Sequence, residues 1–271
     1  MISEAEQAAA AQLDRLNGTQ ELQAAVLALL LPAGSQRAAR AWQIECEAFA
    51  RAPQIREWVA QLSGAARLPW LEILVSRMRG QPLTERQALL ASTRRVMGAR
   101  GIQRPIDRLH WLAMRQRLGE GTAADTRAAA TSDLSQLPQS AVSAIAAYSA
   151  FLARMVPVEA AELEDAAPPE AGLAWYASVM APWEQHAIVA ACEPPDTDGL
   201  VHALQELQSV AWMQRPALVR GWVGAAVKHS RYGRLADTAA DALRLSCSLL
   251  DSPLPPELAR HYGEPTQGTA A

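Results

Sequence analysis

Residues that begin and end α-helices recur along the whole chain, and this pattern limits the fold more than any other feature. Ser3 and Glu6 have the spacing of a capping box. Ser35 stands where a helix can begin, and Pro105 suits a first helical turn. No segment alternates Val, Ile or Thr with polar residues, as half-buried strands do. Because the apolar residues are also mostly Ala and Leu, we expect an all-α fold of about a dozen helices with short loops and no sheet.

Small polar residues concentrated in 121–139 separate two helical parts of the chain. We predict an N-terminal helical unit at 1–120, a linker or crossover at 121–139, a C-terminal helical unit at 140–258 and a frayed tail at 259–271. After residue 167, helices are predicted to start at Pro169, Pro182, Asp198, Pro216 and Asp237.

A faint internal repeat relates Leu68–Leu118 to Leu200–Leu250, each of about 51 residues. In each segment a glycine turn precedes the last helix, Arg100-Gly101-Ile102 in the first and Tyr232-Gly233-Arg234-Leu235 in the second. The alternative is chance similarity between helices rich in Ala, Leu and Arg. If the repeat is real, the two segments superpose as related helical units.

The net charge of −3 is unevenly distributed. Residues 1–120 hold 16 Arg and 11 acids, whereas 121–210 hold 2 Arg and 12 acids. The densest basic segment, Arg77–Arg117, holds ten Arg against Glu85 and Asp107. Such a segment can meet phosphates, anionic lipid headgroups or an acidic protein face. The alternatives to binding of such a partner are that these arginines pair with the acidic middle of the same chain or are solvated on the outer faces of helices.

A candidate binding face in this segment comprises Arg94, Arg100, Arg104, Arg108 and Arg115. At 100° per residue, Arg104, Arg108 and Arg115 fall within about 60° of one another, so we expect an exposed ridge there. On the opposite side we expect a buried stripe of Leu89, Leu90, Val96, Leu109, Leu112 and Ala113. Nucleic acid is not an expected partner, because the overall balance is acidic and Trp111 is the only aromatic residue of the segment.

Signatures of catalysis are absent from the sequence. There is no His-Glu-x-x-His, Cys-x-x-Cys, Gly-x-Ser-x-Gly or phosphate-binding glycine motif. An enzyme or metal protein that uses His186, Cys192 and His202 is the alternative, although a spacing of six residues places the first two poorly on one helix face. We expect no catalytic residue, no metal ion and no cofactor. Cys46 and Cys247 fit core positions, and three scattered cysteines favour a reducing compartment.

The apolar segments of the chain are too short to cross a membrane. The longest runs, Leu22–Leu31 and Ala141–Ala153, fall below the roughly 20 residues that span a bilayer. The N-terminus has two acids and no basic region, so we expect neither a signal peptide nor a transmembrane segment. These features predict a cytoplasmic protein.

The eight Trp residues all fall inside or at the start of predicted helices. Large rings fill gaps between Ala-rich helices, so we expect these residues in the core rather than stacked on a ligand.

The ends of the chain carry a resemblance to a bacterial protein family. Gly233-Arg234-Leu235, Asp241-Ala242-Leu243-Arg244 and Leu249–Pro256 look like the C-terminal signature of the HtpX-type (CAAX-protease-like) membrane zinc metallopeptidases. In the N-terminal half, Ala24–Leu31 and Arg67–Leu71 are similar to segments of the same family. These proteins carry a long all-α region after the protease domain, and the resemblance extends over about residues 20–256.

The two units of turn and helix also resemble TerB-like helical domains of tellurite-resistance proteins. In those domains an acidic residue precedes the turn glycine, and another lies two residues before the position of Asp241. Here Arg100 and Tyr232 precede the turn glycines, and Ala239 occupies the second position. The resemblance implies no catalytic residues, because the zinc helix and the membrane spans of the protease are absent from this sequence.

By this resemblance we expect a non-catalytic interaction or regulatory domain with a protein partner, at the cytoplasmic face of the inner membrane. Two alternatives remain open. One is a binder of nucleic acid or anionic lipid through Arg77–Arg117. The other is an accessory part of a zinc metalloendopeptidase whose catalytic domain is missing from this chain.

Overall fold

The computed structural model describes residues 3–32, 34–101, 103–119, 133–158, 167–184 and 187–263. Within these ranges it contains 13 α-helices and no strand, which confirms the all-α prediction. The helices are α1 (Glu4–Asp14), α2 (Thr19–Leu29), α3 (Gln36–Glu45), α4 (Ala52–Ala60), α5 (Gly64–Arg79), α6 (Leu83–Gly98), α7 (Pro105–Leu118), α8 (Gln139–Leu152), α9 (Glu170–Met180), α10 (Thr197–Ser209), α11 (Arg215–His229), α12 (Asp237–Leu249) and α13 (Pro256–His261). Ala181–Trp183 and Arg231–Gly233 form single 3-10 turns. In the described part of the chain, no helix has both the length and the apolar character needed to cross a membrane.

The predicted capping residues start two of the helices. Ser3 Oγ accepts a hydrogen bond from the amide of Glu6 at 3.1 Å, and Ser35 Oγ accepts one from the amide of Ala38 at 3.3 Å. These bonds satisfy amide groups that a helix N-terminus leaves without intrahelical partners.

Two predicted features of the C-terminal half differ from the structure. Pro182 lies in the 3-10 turn that follows α9 instead of starting a helix, and Pro194 and Pro195, which lack amide hydrogens, lie in the irregular segment before α10. Residues 259–261 of the predicted tail form the end of α13, because Leu258 and Ala259 are buried. Most of the predicted linker, 121–132, lies outside the described residues.

The first of two compact units comprises residues 1–103 and 110–121. Its central helix is α2, whose residues Leu22 and Ala24–Leu29 are all buried. Helices α4 and α5 pack along α2, α1 packs on α4, and α3 packs on α6. Because α2 is apolar on nearly every side, several neighbouring helices are needed to cover it.

The second unit comprises residues 104–109 and 122–271, so the start of α7 belongs to it. Here α8 is the central helix, with ten buried residues between Ala141 and Leu152. Helices α9 and α10 pack on α8, α11 packs on α9 and α12, and α13 packs on α12.

Part of the helix pairing is alike in the two units, although α4 of the first unit, which also packs on α2, has no counterpart in the second. In the first unit α2 pairs with α5 and α3 pairs with α6, and in the second α8 pairs with α10 and α9 with α11. Gly101 and Gly233, the turn glycines before α7 and α12, both adopt left-handed backbone angles, with φ of +88° and +68°. The predicted repeat segments Leu68–Leu118 and Leu200–Leu250 extend over α5, α6 and α7 and over α10, α11 and α12, respectively. Superposition of the two segments stays a prediction.

Charged side chains hold helix ends together in the first unit. The carboxylate of Glu6 in α1 accepts hydrogen bonds from the amide of Ser63 at 3.0 Å and its hydroxyl at 2.5 Å, just before α5. These bonds lower the pKa of Glu6, because they stabilise its charged form. Arg95 of α6 forms a two-point ion pair with Glu45 of α3, at 2.5 and 2.7 Å, which lowers the pKa of Glu45.

Hydrogen bonds between neutral groups run through the core of the second unit. Tyr148 Oη and Ser246 Oγ are 3.0 Å apart, and Trp222 Nε1 donates to Ser149 Oγ at 3.0 Å. Trp175 Nε1 donates to the carbonyl of Trp222 at 3.1 Å. The rings of Tyr148 and Trp222 stack with their centroids 5.4 Å apart. Burial raises the pKa of Tyr148, so this phenol stays protonated.

Candidate interaction surfaces

The five arginines of the candidate basic face differ in exposure. Arg94 and Arg115 are exposed, whereas Arg100, Arg104 and Arg108 are half-buried. The guanidinium of Arg94 lies over the ring of Trp111, 4.8 Å from its centroid. Arg104 forms an ion pair with Asp107 at 3.7 Å. Of the opposite stripe, Leu89, Val96, Leu109 and Leu112 are buried, and Leu90 and Ala113 are half-buried.

Other arginines of Arg77–Arg117 pair with acids of their own unit. Arg77 contacts Asp14 at 2.5 Å, and Arg95 contacts Glu45 as described above. These acids belong to residues 1–120 and not to the acidic segment 121–210, part of which lies outside the described residues. Binding of an external partner by the basic face stays a prediction.

The residues weighed for a metal site have ordinary surroundings where they are described. His186 lies outside the described residues. Cys192 is half-buried, and burial raises the pKa of its thiol to about 11. His202 is exposed on α10. No three or more His, Cys, Asp or Glu side chains of the described residues are grouped so that they could hold a metal ion.

One hydroxyl–imidazole pair escaped the sequence analysis. Ser178 Oγ of α9 and His229 Nε2 of α11 are 2.7 Å apart, and both residues are half-buried. Because 51 positions separate them, no local sequence pattern indicates this contact. The bond links two helices that pack on each other.

The loop Val210–Gln214, called here the Trp212 loop, presents an aromatic side chain to solvent. Trp212 is 62% exposed, so the prediction that every Trp fills the core is wrong at this position. Its neighbour Met213 is 42% exposed. Of the other seven Trp, four are buried, namely Trp42, Trp175, Trp183 and Trp222. The remaining three, Trp58, Trp70 and Trp111, are half-buried.

Arg215 holds the Trp212 loop in place. Its side chain is buried, with Nε donating to the carbonyl of Val210 at 2.8 Å and Nη1 to that of Leu250 at 3.3 Å. The other guanidinium nitrogen, Nη2, donates to the carbonyl of Gln208. Desolvation lowers the pKa of Arg215, so its burial depends on these acceptors.

At the other end of α11 lies a cavity of about 610 Å³, called here the turn cavity. Its lining consists of Val227, Gly233, Arg234, Leu235, Glu257, Arg260 and His261. Beside it, Tyr232 is 84% exposed and has φ of +58°, a left-handed conformation that is uncommon outside glycine. No local sequence pattern indicated this cavity, since Arg260 and His261 of its lining lie in the segment predicted as a frayed tail, 259–271.

Comparison of the chain with models of known protein families, with curated proteins and with solved structures yields no match. The described structure is that of an all-α helical protein.

Proposed function

We propose that this chain is a non-catalytic α-helical interaction domain, which binds a protein partner through the Trp212 loop. The observation that carries the proposal is the exposure of Trp212 on a loop fixed by a buried arginine. Trp, Tyr and Arg dominate the binding energy of protein interfaces, and Met is enriched there.

The fixed conformation of the loop favours binding. Val210 and Ala211 are buried, and the amide of Gln214 donates to the carbonyl of Ala211 at 2.8 Å. A loop that is already ordered loses little conformational entropy when a partner covers it. An indole presented in this way can fill an apolar pocket on another protein.

The resemblance to the HtpX-type membrane zinc metallopeptidases supports one class of partner. In that family, an all-α region accompanies the protease domain. We infer that the partner is a metallopeptidase of this kind, which the domain would contact at the cytoplasmic face of the membrane.

Affinity capture tests the proposal with Trp212→Ala and the matched control Ile188→Ala. Ile188 is an apolar side chain of the same unit and is 82% exposed. Immobilised wild-type protein and Ile188→Ala are expected to retain a zinc metallopeptidase from detergent-solubilised bacterial membranes, and Trp212→Ala is expected to lose it. Circular dichroism checks that both variants fold.

Two results would overturn the proposal. One is equal retention of the peptidase by both variants, or none by the wild-type protein. The other is hydrolase activity of the purified chain alone.

A further inference from the structure

We propose that the turn cavity binds a phosphate monoester. This inference is independent of the Trp212 loop, because the 15 residues of α11 separate the two features by about 20 Å along the helix. Three observations support it: three nitrogen-bearing side chains line one cavity, one buried nitrogen atom has no hydrogen-bond partner among the described residues, and the space is large enough for a small molecule.

Two of the lining side chains are permanently positive. Arg234 is exposed, and no hydrogen bond or ion pair to another described residue is seen for its side chain. Arg260 donates from Nε to the carbonyl of Pro256 at 3.3 Å, and its Nη2 is 3.7 Å from Glu257 Oε1. That distance is long for a hydrogen bond, so the outer edge of this guanidinium keeps donors for a ligand.

His261 supplies the third nitrogen. Its side chain is 17% exposed, and its Nε2 is buried without a hydrogen-bond partner among the described residues. The nearest acid oxygen, Asp237 Oδ1, is 3.5 Å away. A buried polar atom without a partner costs free energy, and an oxygen of a bound anion would remove that cost.

The charge balance of the lining favours an anion. Arg234 and Arg260 carry two positive charges against one negative charge on Glu257, so the lining is net positive even when His261 is neutral. Asp237, exposed at the start of α12, opposes an anion and sets a limit on affinity. The N-cap residue of α12, Ala236, offers no side-chain acceptor to the amides of the first turn. Leu235, which lines the cavity, directly precedes this N-cap at the positive end of the helix.

The shape and chemistry of the cavity point to phosphate rather than to a single carboxylate. Two guanidinium groups and one imidazole can donate hydrogen bonds to the three free oxygens of a phosphate monoester. The two oxygens of a carboxylate need only one guanidinium group, which binds them with two parallel hydrogen bonds. The apolar side chains of Val227 and Leu235 can contact the organic part of the ligand. A volume of about 610 Å³ is in the range of small-molecule sites.

The same phosphate group occurs on free metabolite-sized molecules and on the headgroup of phosphatidic acid. Two probes distinguish these sources. Glycerol 3-phosphate is titrated into the full chain by calorimetry, and the chain is co-sedimented with phosphatidylcholine vesicles that contain or lack phosphatidic acid. Binding in either arm supports the proposal and identifies the source.

Arg234→Gln and Arg260→Gln are the test variants, and Arg231→Gln is the matched control. Arg231 is an exposed arginine of the same turn that lies over the ring of Tyr232 instead of lining the cavity. Each test variant is expected to weaken binding of the probe about tenfold, the loss of one charged hydrogen bond, while the control leaves it unchanged. Trp212→Ala is expected to bind normally, which separates this result from the proposed function.

Three outcomes would overturn the proposal. The first is no binding in either arm. The second is equal weakening by Arg231→Gln, which would indicate diffuse attraction to a basic surface. The third is binding of acetate as tight as that of glycerol 3-phosphate, which would remove the preference for phosphate.

Discussion

Each unit is built around one buried central helix, α2 or α8, but the contacts that join the helices differ in chemistry between the units. In the first unit, charged groups join helix ends, as in the contacts of Glu6 with Ser63 and of Arg95 with Glu45. In the second unit, neutral Trp, Tyr and Ser groups bond to each other inside the core. Carboxylates respond to pH and exposed ion pairs to salt, whereas buried neutral hydrogen bonds respond to neither. Two helical units of one chain can therefore differ in their sensitivity to pH and salt.

Two arginines extend the comparison from charge to burial. Arg67 donates to three carbonyls at the C-terminal end of α2, those of Ala28, Leu29 and Leu31, at 3.1–3.3 Å. Arg215 makes three similar contacts near the ends of α10 and α12. Arg67 is half-buried and Arg215 is 4% exposed, so water can replace the first more easily than the second.

Arg215→Met is expected to have the largest effect. It leaves carbonyls without donors in a dry environment, so the free energy of unfolding should fall by about 3–4 kcal/mol. Arg67→Met, the matched variant, should cost about 1–2 kcal/mol because water reaches its carbonyls. Denaturant unfolding measures both losses, and amide hydrogen exchange assigns each to its unit. Equal losses would show that burial does not distinguish the two arginines.

Trp222→Phe is expected to lower the free energy of unfolding by about 2 kcal/mol. The change removes the N–H donated to Ser149 and leaves a small cavity where the larger ring packed. The loss should be the same at low and high salt. Trp111→Phe, at a half-buried ring of the first unit, serves as the control and should cost less. A marked dependence of the Trp222 effect on salt would contradict the neutral character of the hydrogen bond between Trp222 and Ser149.

Acid is expected to weaken the first unit before the second. Folding lowers the pKa values of Glu6 and Glu45 below the usual 4.5. Their contribution to stability is therefore complete above pH 4.5 and is lost as the pH falls through the lower, folded values. Hydrogen exchange as a function of pH should show α1, α3, α5 and α6 losing protection while α8 and α12 keep theirs.

Glu6→Gln sharpens that comparison. Gln can still accept from Ser63 but carries no charge, so the variant should be about 1 kcal/mol less stable than the wild type near neutral pH. Below the folded pKa of Glu6 the difference should vanish. Glu4→Gln, an exposed acid in the same helix turn, should show no such convergence. A constant difference at all pH values would mean that the charge of Glu6 plays no part.

The smallest effect is expected for Arg51→Gln. Arg51 contacts Glu21 at 2.7 Å, but the arginine side chain is 54% exposed. Exposed pairs of this kind contribute about 0.5 kcal/mol and are screened by salt. Denaturation at low and high salt should show a small loss that disappears at high salt. A larger loss in the free energy of unfolding than for Glu6→Gln would contradict this order, because it would mean that an exposed ion pair stabilises the protein more than the Glu6 contact does.

Local sequence signals predicted the helices well, because capping and turn geometry depend on neighbouring residues. Ser3 and Ser35 cap as expected, Pro105 begins α7, and the turn glycines Gly101 and Gly233 take positive φ. The prediction failed at Pro182, since a proline compatible with a first helical turn does not ensure that the helix continues.

The surfaces could not be predicted in this way. Trp212 has the residue type of a core position, yet it is exposed on a loop beside Arg215, which is buried and donates to the distant carbonyl of Leu250. Likewise, Arg234 and His261 share a cavity although 27 positions separate them. Such contacts depend on tertiary packing, which no local pattern encodes.

The division of α7 has a practical consequence for dissecting this protein. Residues 104–109 count with the second unit and 110–121 with the first, and buried side chains such as Leu109 and Met114 lie on both sides of that division. A single cut anywhere near this helix removes core side chains from one fragment. Overlapping fragments, 1–121 and 104–271, would each keep a complete unit. Expression of such a pair is the route by which each unit can be studied alone.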